Sequence, residues 1–191
     1  MRYRSQLETP VRQSVVVSVV AAALCMATTL VAQVAPKGTG FRAEYLAELS
    51  VAEDHLVRLA EAIPAEKYSW RPAPGVRSFS EVFLHVAGSN FNLPRTLGVV
   101  PQEGMLTRDY WTSTTDKAKI VADLRQSFVF LRAGIAKLSD ADAEKTMRWF
   151  DGENTYRGIL YFFTRHTGEH TGQLIAYARV NGIVPPWSES P

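Results

Sequence analysis

His166 and His170 stand four residues apart in HTGEHTGQL, a spacing that puts both imidazoles on one helix face, one turn apart. On a helical wheel this face coincides with an apolar stripe. Ile159, Phe162, Phe163, Leu174 and Tyr177, together with Gln173, lie within about 80° of His166. Two imidazoles in an apolar interior are costly unless something engages their nitrogens. A divalent metal ion does this, and so does a chain of hydrogen bonds; the pair alone leaves both open. Cys25 is the single cysteine, which excludes an intramolecular disulfide and any multi-cysteine metal site. Nitrogen and oxygen must then supply the ligands.

A third imidazole, His85, lies in SEVFLHVAGSN. Its face carries Ser78, Glu81, Gly88, Ser89 and Asn92, about 110° from a stripe of Phe79, Val82, Phe83, Val86, Leu93 and Leu97. Periodicity by itself favours a boundary histidine facing water. The other reading is a ligand at the rim of a cavity, with Gly88 and Ser89 leaving room. Asn90 falls on the stripe and needs a hydrogen-bond partner if buried. His55, about 90° from the stripe of its own helix, reads as solvated.

Glu169 completes His166-x-x-Glu169-His170, the spacing of a metallopeptidase helix whose glutamate activates water. That chemistry needs a further carboxylate ligand well downstream, and Glu189 is the sole acidic residue after His170. The motif therefore reads as coincidental spacing, with Glu169 a weak catalytic candidate at the rim.

Four helices must position these groups. Tyr45, Leu49, Ala52, Leu56, Leu59, Ala60 and Ile63 recur at helical spacing over residues 41–63, and Pro64 ends the run. Ser78 and Glu81 have capping-box spacing at the start of a second helix over 79–97, with Pro94 near its end. A long connection over 98–113 contains Pro101 and Gly104. Thr114 or Thr115 caps a third helix reaching 138, which turns Ile120, Leu124, Ser127, Phe128, Leu131 and Ile135 inward. A short helical turn near Ser139–Asp142 and a hairpin turn at Asp151-Gly152 follow. Thr155 caps the fourth helix, 156–181, and Gly182 stops it. The expected fold is all-α: a four-helix bundle whose long crossover lets helices two and three run in the same direction. Trp70, Trp111, Trp149 and Trp187 fall in or near loops, where they cover the core ends or line a pocket mouth.

The chain of 191 residues holds one such domain, expected over 36–191, with an N-terminal segment over 1–35. Arg2, Arg4 and Arg12 precede a mostly apolar, uncharged stretch from Val15 to Ala32, the layout of a secretory signal peptide or a retained membrane anchor. Either places the domain outside the cytoplasm, periplasmic or secreted, and without the segment no stable membrane contact is expected. The domain itself lacks cysteine, which suits an oxidising compartment. A net charge of +2 gives no reason to expect a nucleic-acid partner.

The stretches RPAPGVRSFSEVFLHVAGSN and HTGEHTGQLIAYARVNGIVPPWS resemble the DinB-like (DinB/YfiT-like) family of metal-binding four-helix bundles. The resemblance extends from about residue 41 to 188. It implies a three-histidine site for zinc, nickel or a similar divalent ion, formed by His85, His166 and His170, with the H-x-G-Q continuation at His170–Gln173. Three imidazoles leave a position open, the pattern of a catalytic rather than a closed structural centre. Each ligating ring needs an acceptor for its second nitrogen, for which Glu81, Asn92 and Gln173 are candidates. The resemblance further implies a metal-dependent transferase or hydrolase acting on an unknown small molecule. Export argues against transferases that use a low-molecular-weight thiol. The alternative is a non-catalytic envelope metal- or ligand-binding, or stress-related, bundle. Gly168 and Gly172, four apart on the opposite face, suit either a homodimer or close packing inside the bundle.

Overall fold

The computed structural model describes residues 40–96, 107 and 109–188. The expected signal segment, Cys25, Leu97, Glu189 and most of the 98–113 connection lie outside the described residues. Four helices dominate: α1 (Phe41–Ala62), α2 (Phe79–Thr96), α3 (Lys117–Ile135) and α4 (Tyr156–Val180). No helix among the described residues is long and apolar enough to cross a membrane.

Local chemistry sets the helix ends. The Ser78 backbone N–H donates to Glu81 Oε2 (2.8 Å) and the Glu81 N–H to Ser78 Oγ (3.3 Å), so the capping box that starts α2 is formed. Asp116, not Thr114 or Thr115, caps α3, accepting from the Lys119 N–H at 2.7 Å. Thr114 instead accepts from the Asp116 N–H, which makes it a brace for the cap. A carboxylate is the better cap because its charge also opposes the helix dipole. The helix ends at Ile135, three residues before the expected 138. Thr155 caps α4 through the Gly158 N–H at 3.0 Å, and Gly182, with φ +73°, closes its far end.

Contacts across the helices reveal their directions. Asn90 reaches Ser127, and Pro94 lies against Gly134, so α2 and α3 ascend together. A Cβ on Gly134 would come within 2.8 Å of Pro94 Cβ, so only glycine permits this approach. Arg42 donates to the Leu138 carbonyl and Arg125 to Glu61, so α1 and α3 are antiparallel. His85 meets His166 while Phe79 meets Tyr177, so α2 and α4 are antiparallel too. The bundle is up-down-down-up, and each of α1 and α2 packs against both α3 and α4. The parallel α2–α3 pair is what makes a long crossover necessary.

Leu56, Leu59, Phe83, Phe91, Ile120, Leu124, Phe128 and Leu174 form the sealed centre. Asn90 lies within it and has the partner it requires: its Nδ2 donates to Ser127 Oγ at 3.1 Å, and Ser127 donates to the Leu124 carbonyl at 2.7 Å.

Between α3 and α4 a 3-10 turn (Asp140–Glu144) leads into a two-stranded antiparallel hairpin, β1 (Thr146–Trp149) and β2 (Gly152–Thr155). Trp149 pairs with Gly152, so the turn residues are Phe150 and Asp151, one position earlier than the expected Asp151-Gly152.

Candidate metal centre

His85 projects from the middle of α2, and His166 and His170 from successive turns of α4, across the antiparallel α2–α4 seam. The rings converge. Centroid separations are 5.0 Å (His85–His166), 4.6 Å (His85–His170) and 4.5 Å (His166–His170). One ring nitrogen from each lies within 4.8 Å of the others. His85 Nε2 and His166 Nε2 are 3.0 Å apart. All three residues are half-buried, so His85 is not a boundary histidine facing bulk water. The indole of Trp111 stands edge-on to its ring at 5.1 Å. Gly88 lies against the 3-10 turn that carries Trp111 (Tyr110–Thr112): a Cβ there would stand at van der Waals contact, 3.4 Å from the Tyr110 ring and 3.5 Å from Trp111 Nε1.

The tautomer of His170 follows from its partner. Its Nδ1 lies 2.9 Å from Gln173 Oε1, an acceptor, while Gln173 Nε2 donates to the Tyr177 hydroxyl at 2.7 Å. As placed, the amide oxygen faces His170, so Nδ1 carries the proton and Nε2 is free. The Nδ1 atoms of His85 and His166 are buried and have no protein hydrogen-bond partner.

Electrostatics keep the His85 and His166 rings neutral. Burial pushes the His85 pKa down to about 3, and the nearby Arg77 charge, His170 and His166 push the same way. Burial likewise lowers His166 to about 4, with His170, Arg165 and Arg77 adding to it and Glu169 opposing. Neutral imidazoles are the protonation state a metal ion requires.

The donor set fits a divalent ion. Donors bonded to one zinc ion at about 2.0–2.1 Å sit roughly 3 Å from each other, as His85 Nε2 and His166 Nε2 do. Two neutral imidazoles can share only one proton between facing nitrogens, whereas a common cation would take both lone pairs.

Of the proposed outer partners, Gln173 is at the cluster. Glu81 is not: its carboxylate is engaged by the Ser78 N–H and by Arg71 at 2.9 Å, one turn below His85. Asn92 is exposed. Both share the helix face of His85, but the α2 cap claims one and solvent the other. Glu169 is also exposed and pairs with Arg165, so it does not sit as a general base beside an ion. His55 is half-buried and stacked on Trp187 at 4.2 Å, rather than solvated as expected. Gly168 and Gly172 have open space where a side chain would project, so close packing inside the bundle does not explain them. They form part of a groove of about 340 Å³ between α1 and α4, on the face away from the imidazoles.

The tryptophans divide. Trp70 packs on Phe79 and Tyr177 at a core end, and Trp187 covers His55. Trp111 touches a site histidine, and Trp149 stands in the hairpin against Phe162. Periodicity does not identify Trp111, because the 3-10 turn that carries it (Tyr110–Thr112) is too short to show any. Phe162 carried a signal: it is one turn before His166, and its ring lies nearly parallel to that imidazole, 14° between planes.

The DinB superfamily model matches residues 48–174. No curated protein matches the chain. Among solved structures, a DinB-like protein from Bacillus cereus superposes with a TM-score of 0.66 at 16% identity, covering 74% of this chain and 93% of that one. A DinB-like protein from Bacillus subtilis, YjoA, gives 0.60 at 20% identity, covering 78% and 95%. YfiT from Bacillus subtilis, described as a probable metal-dependent hydrolase with an unusual four-helix bundle topology, gives 0.60 at 14% identity, covering 78% and 93%. At these identities the likeness shows the fold.

Proposed function

The chain belongs to the DinB superfamily, and on that footing we propose that it is a metal-dependent enzyme of the hydrolase type, acting on a small molecule. His85, His166 and His170 would hold a divalent ion, zinc or nickel by the chemistry of an all-imidazole set. The observation that carries this is the convergence of three imidazole rings, two with ring nitrogens 3.0 Å apart. When bound, such an ion supplies Lewis acidity at a position three protein ligands leave open. Gln173 orients the His170 ring and holds its Nδ1 proton, while Tyr177 holds the Gln173 amide. Trp111 and Phe162 flank the rings and limit water access on two sides. The description of YfiT as a probable metal-dependent hydrolase supports the same reaction class.

The sequence of residues 1–35 supports action outside the cytoplasm, and intact-mass measurement of the exported protein tests it. The metal reading is tested by elemental analysis of protein purified without a histidine tag, followed by cobalt substitution. One equivalent of divalent metal, and a cobalt spectrum that changes on adding small anions, is the expected result. A protein that contains no metal and gains none on incubation refutes the reading.

A further inference from the structure

Phe150 is the most conspicuous anomaly outside the three rings. It is 74% exposed and has φ +51°, the only non-glycine residue with positive φ among those described. The first position of a two-residue hairpin turn that needs positive φ normally carries glycine, asparagine or aspartate, because a bulky side chain is strained there. Gly152, two residues on, has no positive φ, so the glycine at hand is not used for the bend. Strain combined with an exposed aromatic ring is a reason to look for a use.

The ring does not stand alone. Phe150 lies 4.9 Å from Trp149 and 6.0 Å from Phe162. Trp149 lies 5.7 Å from Phe162, and Phe162 lies 6.1 Å from His166 in near-parallel orientation. A continuous aromatic ledge therefore runs from the hairpin tip to a site imidazole. Across the cluster Trp111, 37% exposed, stands edge-on to His85.

We infer that the ledge of Phe150, Trp149 and Phe162 binds the aryl portion of the small-molecule substrate, whose metal-seeking group meets the three imidazoles. This rests on the function proposed above and names its substrate class. An arene fits better than an alkyl chain because edge-to-face and offset ring contacts add to the gain from area alone. Phe162 abuts His166, so a molecule anchored at the imidazoles meets the ledge there and extends along it toward Phe150.

The test uses the full chain loaded with cobalt and two probes, acetohydroxamate and benzohydroxamate, which share a metal-binding group and differ in the aryl ring. Titration is followed by the cobalt absorption spectrum. The native protein should bind the aryl probe at least about tenfold more tightly, the scale of one well-packed ring contact. In Phe150→Gly the ratio should fall toward one while affinity for the methyl probe holds. Glycine also suits the backbone at this turn, so the variant folds, and its thermal midpoint should rise. Equal affinities in the native chain, or an aryl preference that survives in Phe150→Gly, overturn the ledge and leave the metal centre standing. Failure to take up cobalt at all overturns the metal reading and the ledge with it. A native dimer that Phe150→Gly converts to monomers, with the aryl preference unchanged, assigns the face to a second copy and also overturns the inference.

Discussion

Two polar groups of residues interrupt the apolar seams of α2, and they behave in opposite ways. On the α3 side, Asn90 and Ser127 are sealed from solvent, bonded to each other and anchored to the Leu124 carbonyl. On the α4 side, His85, His166 and His170 are half-buried, with only His170 tied outward through Gln173 and two Nδ1 atoms unpartnered. A satisfied polar pair holds two helices in register. Converging lone pairs held by burial in the neutral state are instead suited to a guest. The difference lies in what each cluster still lacks.

The sharpest way to break the contrast is to remove one imidazole. His85→Ala should lower metal affinity by roughly 100-fold or more, since three ligands are the minimum here; competition with a chromophoric chelator measures it. Unchanged affinity would remove His85 from the ligand set. Gln173→Ala should cost about 10- to 100-fold in the same assay, because an unoriented ring is a poorer ligand.

The sealed pair should respond in stability rather than in metal. Asn90→Ala removes the donor to the buried Ser127 oxygen, which keeps only its own bond to the Leu124 carbonyl, and should destabilise the fold by about 1–3 kcal/mol in urea unfolding, with metal stoichiometry unchanged. Replacing both, Asn90→Leu with Ser127→Ala, should recover most of that loss.

Acid distinguishes the two further. His85 and His166 titrate at about 3 and about 4 when folded, against 6.5 in an unconstrained chain. In that window the unfolded chain binds more protons. The metal-free protein should therefore keep their contribution above about pH 6.5 and lose stability as pH falls from 6.5 toward 4 and then 3. Urea midpoints at several pH values measure this. His85→Gln with His166→Gln should flatten the slope, whereas Asn90→Leu with Ser127→Ala should not. The smallest effect belongs to Glu169→Gln. Its exposed pair with Arg165 contributes little, so metal affinity should stay within about twofold; a larger change would return Glu169 to the site.

Much of this contrast was legible beforehand. The His166/His170 face, the need of Asn90 for a partner and the Ser78/Glu81 cap all follow from spacing along one helix, where geometry is set by 3.6 residues per turn. Periodicity by itself favoured His85 facing water and was misleading, because the edge of a stripe is buried or exposed according to what packs beside it. Here Trp111, from the short 3-10 turn ahead of α3, decides it. Glu81 and Asn92 look equivalent to Gln173 as ring partners when only helix face is considered. The helix cap and solvent take them, and no wheel contains that information.

The sequence by itself determined four amphipathic helices, the caps of α2 and α4, and the pairing of two imidazoles one turn apart, because each is a local consequence of dihedral preference and side-chain period. Only the tertiary structure decided that Asp116 rather than a threonine caps α3, that His85 meets His166 at 3.0 Å, and that Phe150 stands at the head of an aromatic path to the rings. These depend on how separate elements dock, and docking is set by the summed packing of side chains distant in sequence, which no short window of residues contains.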